Sequence, residues 1–158
     1  MGRVIFVTSQ AVAGDFGGVA AGDALCGSLA AAAGLSGTFR AWLSGDGVSP
    51  SITFTQGALP FVMTSGVRVA DHWSDLADGT INNPIVVDEQ GVQPRTVDRV
   101  WTGTETGGLP AASGASCRSW RTTVGTGTVG VLGPIGPTWS AGGTQSCDQP
   151  GRLYCVEQ

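Results

Sequence analysis

Four cysteines constrain this 158-residue chain more than any other feature of its sequence. They are Cys26, Cys117, Cys147 and Cys155, and no two of them are spaced as C-x-x-C. That spacing disfavours a zinc ribbon or a thioredoxin-type motif, and the single histidine, His72, cannot complete a Cys₂His₂ zinc site. Two disulfide bonds in an exported protein are the better interpretation. The cysteines allow three pairings, and composition does not choose among them.

The charge composition excludes two classes of partner. The chain has 8 basic and 12 acidic residues, a net charge of −4, and every basic residue is arginine. No basic cluster is present, so nucleic acid and anionic membrane surfaces are poor partners. The length fits one domain, residues 1–158. No apolar run reaches membrane-spanning length, and Val4–Val7 is too short for a signal peptide. We therefore expect a secreted or cell-surface domain whose export signal is absent from this chain.

Hydrophobic periodicity and turn residues predict an α+β domain. The main helix is predicted at Asp15–Gly34, and one helical turn at Trp73–Ala77. Long Gly/Pro-rich loops are expected at Gly107–Gly114 and Gly125–Gly143. The predicted strands are short, with a hairpin turn at Ser65-Gly66, and they lie at Arg3–Ser9, Phe39–Leu43, Ile52–Phe54, Phe61–Thr64, Val67–Ala70, Ile85–Val87, Val100–Thr104, Ser116–Thr122 and Leu153–Glu157.

Five segments together resemble the bacterial endostatin-like family, which includes surface proteins of leptospires. They are FVTSQAVAGDFGGVAAGDALC, GLSGTFRAWLS, VADHWSDLADGTINNPIVVDEQG, VWTGT and CDQPGRLYCVEQ, in that order. The resemblance covers nearly the whole chain, from about Val4 to Gln158. It implies a C-type lectin-like or endostatin-like fold of mostly short antiparallel strands.

The resemblance also implies a disulfide pairing. In lectin-like domains a cysteine on the first helix bonds one on the last strand, and an inner pair closes the loop region. Carried over to this chain, Cys26 pairs with Cys155, and Cys117 pairs with Cys147.

The resemblance implies a binding function. The pathogen members suggest adhesion to an extracellular protein or glycan, without catalysis. No Gly-x-Ser-x-Gly pattern is present, and a lone histidine beside a tryptophan is far more often structural than catalytic. The alternative is a structural subunit that assembles with copies of itself into a fibre or layer, because low charge and exposed apolar loops favour association.

An acidic segment raises the question of calcium. Asp75, Asp78, Asp88 and Glu89 lie close together in sequence, and carboxylate oxygens are the ligands that Ca²⁺ prefers. If these side chains converge, they form a calcium site, which would be the only cofactor of the chain. The alternative is that they cap helices and turns, as Asp commonly does.

The uncharged segment Gly125–Gly143 is the predicted recognition surface. Its apolar residues include Leu132, Ile135 and Trp139, which are not all easily solvated in a loop. Trp139 is the expected anchor for a sugar ring or a partner side chain, with Arg121 as a polar partner at the mouth of the loop. The competing interpretation is that Trp139 fills a small core beneath the loop.

Overall fold

Short strands and helices alternate with irregular connections along residues 1–158, all of which the computed structural model describes. The helices are α1 (Val19–Ala32), α2 (Pro50–Thr53) and α3 (Trp73–Ala77), with 3₁₀ turns at Thr106–Gly108 and Pro137–Trp139. The strands are β1 (Arg3–Val7), β2 (Phe39–Ala41), β3 (Phe61–Met63), β4 (Arg68–Ala70), β5 (Arg99–Trp101), β6 (Thr104–Glu105), β7 (Leu109–Pro110), β8 (Thr126–Val131), β9 (Thr144–Ser146) and β10 (Tyr154–Glu157). None of the helices is both long enough and apolar enough to cross a membrane.

A five-stranded sheet joins the two ends of the chain. Its order is β2-β10-β1-β3-β4, so the first and last strands pair at its centre. Strand β1 runs antiparallel to β10 and parallel to β3, which makes the sheet mixed. A second sheet has the order β5-β8-β9, and β6 pairs with β7. The α+β class is therefore confirmed, and all the strand pairs except β1–β3 are antiparallel.

Both faces of the large sheet are buried. Along β1, Ile5 and Val7 belong to one apolar cluster, whereas Phe6 belongs to another on the opposite face. This alternation follows from the two-residue period of a strand. Helix α1 covers the second face and brings Cys26 against β10. A strand buried on both sides needs a nearly continuous apolar run, and Val4–Val7 supplies one.

Two disulfide bonds join distant parts of the chain. Cys26 on α1 bonds to Cys155 on β10, and Cys117 bonds to Cys147. These are the pairs that the family resemblance implies. The first bond fixes the main helix to the central sheet, and the second ties the left-handed turn described next to the end of β9.

Four consecutive residues, Cys117–Trp120, form a turn of left-handed helix. Their φ angles lie between 50° and 68°, although none of them is glycine. Such a conformation costs roughly 1–2 kcal/mol per residue for L-amino acids. The Trp120 side chain is fully buried, and its carbonyl accepts hydrogen bonds from Gly17 and Gly18 at the start of α1. The prediction of a strand at Ser116–Thr122 is wrong, because the disulfide bond and these tertiary contacts stabilise the turn instead.

The segment Gly125–Gly143 is not a loop throughout, because its first third is the central strand of the second sheet. Strand β8 pairs with β5 on one side and β9 on the other. Its glycines permit close packing: a Cβ on Gly130 would lie 1.9 Å from the Trp139 carbonyl oxygen, and one on Gly127 2.8 Å from the Cys117 sulfur. Glycine here indicates close approach of the neighbouring atoms, not a flexible loop.

Of the other predicted helices and strands, some are confirmed and two are wrong. Strand β1, helix α1 and the β3–β4 hairpin are confirmed with shorter bounds, and helix α3 is confirmed with the predicted bounds. The prediction of a strand at Ile52–Phe54 is wrong, because Pro50 begins the helical turn α2. The prediction at Ile85–Val87 is also wrong, since that segment belongs to no strand.

Candidate functional site

An open groove of about 330 Å³ lies between the segment that precedes β5 and the connection that follows β8. Its lining combines polar and charged side chains with three apolar ones, and consists of Val86, Gln93, Pro94, Arg95, Thr96, Val97, Asp98, Leu132 and Gly133. A second open depression adjoins it and shares Gln93, Pro94 and Arg95. The groove is thus built mainly by residues 93–98, here called the groove segment.

The guanidinium of Arg152 holds the groove segment in place. Its Nη2 donates to the carbonyl of Thr96 at 2.6 Å, and its Nε donates to the carbonyl of Val97 at 2.9 Å. Its Nη1 donates to the carbonyls of Thr8 and Ser9, just beyond the end of β1. Because Arg152 is only 5% exposed, one buried side chain connects the central sheet to the wall of the groove.

Two carboxylates accompany this buried cation. Burial lowers the pKa of Arg152, and the negative charges of Asp88 and Glu89 oppose that shift. Both carboxylates are themselves buried. A buried charge is tolerated where opposite charges and hydrogen bonds compensate for lost solvation, and the four carbonyls and two carboxylates do so here.

The groove segment contains an unusual backbone conformation. Val97 has a φ of 55°, in the left-handed region, which is rare for a β-branched residue. Its neighbours Thr96 and Asp98 are not in that region. Strained residues persist only where the surroundings over-determine them, and they cluster at binding and catalytic sites. The carbonyls of Thr96 and Val97, on the two sides of the Val97 Cα, both accept hydrogen bonds from Arg152.

The charges at the rim of the groove are unevenly paired. Asp98 forms an ion pair with Arg99 at 2.9 Å, and both side chains are well exposed. Arg95 is exposed and takes part in none of the three ion pairs of the chain, which are Arg68–Asp71, Arg99–Asp98 and Arg121–Asp46. The groove therefore presents one free positive charge.

Of the four predicted ligand-binding residues, only Leu132 lines the groove. Ile135 is 45% exposed but lies outside the lining. Arg121 pairs with Asp46 beside the start of α1, where Asp46 also accepts a hydrogen bond from the backbone N–H of Val19. This ion pair lowers the pKa of Asp46 and raises that of Arg121.

Trp139 is a core residue, so the prediction that it anchors a ligand on the surface is wrong. It is 2% exposed, and its ring packs 5.1 Å from that of Trp42 and 5.4 Å from that of Tyr154, centroid to centroid. The Tyr154 hydroxyl donates to the Trp139 carbonyl at 2.9 Å. Burying an aromatic ring of this size removes a large apolar area from water, which stabilises the fold. Trp139 therefore fills the core beneath the loop.

The carboxylates proposed for calcium each serve a local turn. No group of three or more Asp, Glu, His or Cys side chains lies close enough together to hold a metal ion. Asp75 accepts a hydrogen bond from the N–H of Asp71 at 2.6 Å, and Asp78 accepts one from the N–H of Thr80 at 2.8 Å. Both bonds are the capping and turn contacts that Asp commonly makes.

Asp88 and Glu89 are occupied in a different part of the fold. Asp88 accepts hydrogen bonds from the N–H groups of Gln90 and Val92, both at 2.9 Å. Glu89 accepts from the backbone N–H of Ser9 at 3.0 Å and from its hydroxyl. The expectation that Asp75, Asp78, Asp88 and Glu89 converge is therefore wrong.

The only histidine caps a helix. His72 precedes α3, and its Nδ1 accepts a hydrogen bond from the backbone N–H of Asp75 at 3.2 Å. The hydroxyl of Ser74 lies 3.0 Å from the same nitrogen. The side chain thus satisfies a free N–H at the start of the helix, as N-cap residues do.

Sequence reasoning missed most of the groove. Arg95 and Asp98 belong to no sequence motif, and Arg152 lies just before the predicted strand Leu153–Glu157. The available signal was the polar run QPRTVDR at 93–99, between two apolar segments. This run contains Pro94 and Asp98, which favour turns, but no glycine. Such a composition is consistent with a loop held by tertiary contacts.

No family model matches the chain, and a search of curated proteins finds no match.

Proposed function

We propose that this chain is an extracellular or cell-surface binding module, and that the groove beside residues 93–98 recognises a protein or glycan ligand. The single observation that carries the proposal is the way the groove is built. A buried arginine holds its wall in a strained backbone conformation, as expected of a surface organised for binding. Few residues move when a ligand meets such a preformed surface, which limits the entropy lost on binding.

The fold supports the same assignment by analogy. The disulfide between the main helix and the last strand is a feature that the endostatin-like and lectin-like resemblance implies. We propose that the chain belongs to that group of folds. Two disulfide bonds and no free cysteine are consistent with an oxidising, extracellular compartment.

We also propose that the chain acts by binding and not by catalysis. The only histidine caps α3, and the buried acidic residues Asp88 and Glu89 hold turns and accompany Arg152. A screen with esterase and glycosidase substrates tests this part of the proposal. Turnover that is lost in a His72→Gln variant would contradict it.

The binding function is tested by measuring how the immobilised chain binds panels of extracellular matrix proteins and glycans. Leu132→Gln changes the apolar lining of the groove, and we expect it to weaken binding of a captured ligand about tenfold or more. The matched control is Val124→Gln, since Val124 is 77% exposed and does not line the groove. Equal binding by both variants would show that the ligand binds elsewhere.

Self-assembly is the alternative function, and exposed apolar side chains such as Ile52 and Val124 are the feature that favours it. However, each edge strand of the large sheet has a backbone group bonded to a residue outside the sheet. The Asp23 carboxylate accepts from the N–H of Ala41 on β2, and the N–H of Asn82 donates to the Val69 carbonyl on β4. Such contacts at an edge oppose strand-to-strand association. Light scattering after size-exclusion chromatography should therefore give a monomer at all concentrations, whereas concentration-dependent growth would favour assembly.

A further inference from the structure

We infer that the groove segment is an anion-binding site, and that its ligand is a carboxylate carried on an apolar segment of a protein partner. The inference rests on the proposed binding function and specifies the chemistry of its ligand. It is carried by two backbone N–H groups, one free guanidinium and the apolar residues of the lining.

The direction of the backbone N–H groups follows from the contacts of Arg152. In a trans peptide the N–H points opposite to the carbonyl of the preceding residue, and the chain contains no cis peptide bond. The carbonyls of Thr96 and Val97 both point at the buried guanidinium. The N–H groups of Val97 and Asp98 must therefore point away from it, toward the outer side of the segment that lines the groove.

These N–H groups have no acceptor within the protein. None of the N–H groups of Thr96, Val97 and Asp98 donates a hydrogen bond to a backbone carbonyl or to a side chain. Because the carbonyls of Thr96 and Val97 face the same guanidinium, the N–H groups of Val97 and Asp98 face the same opposite side. Successive N–H groups on one side of the chain form a concavity that binds anions. The backbone conformation at Val97 thus favours a negatively charged ligand.

The side chains around the concavity select an anion with an apolar body. Arg95 supplies a free positive charge, while the nearby Asp98 carboxylate is neutralised by Arg99. Arginine binds a carboxylate through charge-assisted hydrogen bonds. Val86 and Leu132 add apolar surface, and no aromatic ring lines the groove. Because stacking on an aromatic ring is absent and apolar surface is present, the lining fits an acidic peptide segment better than a sugar.

Amide NMR of the full chain tests the site with two matched probes. N-acetyl-leucine carries a carboxylate on an apolar body, and N-acetyl-leucinamide is its neutral counterpart. We expect the acid to shift the amide resonances of Val97 and Asp98 saturably at millimolar concentration, and the amide to bind about tenfold more weakly or worse. Arg95→Gln should weaken binding of the acid about tenfold. Arg118→Gln is the control, because it removes the same charge from an exposed arginine that does not line the groove.

Each alternative result has a distinct meaning. Equal affinity for the two probes, equal effects of Arg95→Gln and Arg118→Gln, or no shift with either probe would overturn the anion site. The macromolecule panel would still decide the binding function independently, because its readout is the effect of Leu132→Gln on a captured ligand. A sulfated disaccharide that shifts the same amides at lower concentration than N-acetyl-leucine would overturn the assignment to a protein partner.

Discussion

Arg152 donates a hydrogen bond to the carbonyl of Val97, 55 positions earlier in the chain, and Val97 is the residue that adopts the left-handed conformation beside the groove. The guanidinium is buried, whereas the segment that it holds is largely exposed. One side chain therefore contributes both to the stability of the domain and to the shape of its candidate site.

Replacing Arg152 with methionine keeps most of the side-chain volume but removes every donor. Four carbonyls then lose their partner, and Asp88 and Glu89 lose a nearby positive charge. We expect the free energy of unfolding to fall by at least about 3 kcal/mol, the usual cost of leaving a buried charge uncompensated. Urea denaturation measures this. Arg118→Met, at an exposed position, is the control. If the free energy of unfolding fell by a similar small amount in both variants, the role of Arg152 would be contradicted.

Replacing Trp139 distinguishes a core residue from a ligand anchor. Trp139→Ala should cost about 3–5 kcal/mol of stability, as large-to-small core substitutions do. Trp139→Phe should cost much less, because the indole Nε1 has no hydrogen-bond partner to lose. Ile135→Ala, on the same connection but 45% exposed, should change stability by less than about 0.5 kcal/mol. If Trp139→Ala were as stable as the Ile135 variant, the ring would not belong to the core.

Asp23 should make the stability of the domain depend on pH. Burial raises the pKa of Asp23, and the hydrogen bond from Ala41 and the charge of Arg40 only partly oppose this. A pKa that is higher in the folded than in the unfolded state means that stability is greatest below the unfolded value and falls as pH rises through the folded value. Asp23→Asn can still accept from the Ala41 N–H without carrying charge. We expect this variant to melt at a higher temperature than the wild type at neutral pH.

The difference in melting temperature between the wild type and Asp23→Asn should disappear in acid, where Asp23 is protonated. Asp15→Asn is the control, since it removes the same charge from an exposed position. If the melting temperatures of the Asp23 variant and the wild type differed by the same amount from acid to neutral pH, the expectation would be contradicted.

The inner disulfide bond should be required for the left-handed turn at Cys117–Trp120. Without it, four residues of positive φ lose their main covalent restraint, and relaxation to a common conformation is favourable by roughly 1–2 kcal/mol per residue. The Trp120 carbonyl would then leave the N–H groups of Gly17 and Gly18. In Cys117→Ala/Cys147→Ala, hydrogen exchange at these two amides should become fast while that of Leu29 within α1 stays slow. Unchanged protection of Gly17 and Gly18 would show that packing alone holds the turn.

Sequence reasoning succeeded where the determinants of a structure are local. Strand β1 is an apolar run, the β3–β4 hairpin turns at Ser65-Gly66, and α3 ends before an Asp-Gly pair. It failed at β8, where the glycines were interpreted as loop residues. Their role depends on Trp139 and Cys117, which approach them only in the folded chain. The same holds for Trp139, whose burial depends on Trp42 and Tyr154.

The sequence by itself determined that this is a small α+β domain with an even set of cysteines and a net negative charge. These properties follow from composition and from patterns within a few residues of one another. Only the tertiary structure decided where the groove lies. The groove exists because Arg152 reaches Thr96 and Val97 across the fold, turns their carbonyls inward and leaves the neighbouring N–H groups free. Long-range hydrogen bonds of this kind leave no periodicity in the sequence, so no local pattern could have predicted them.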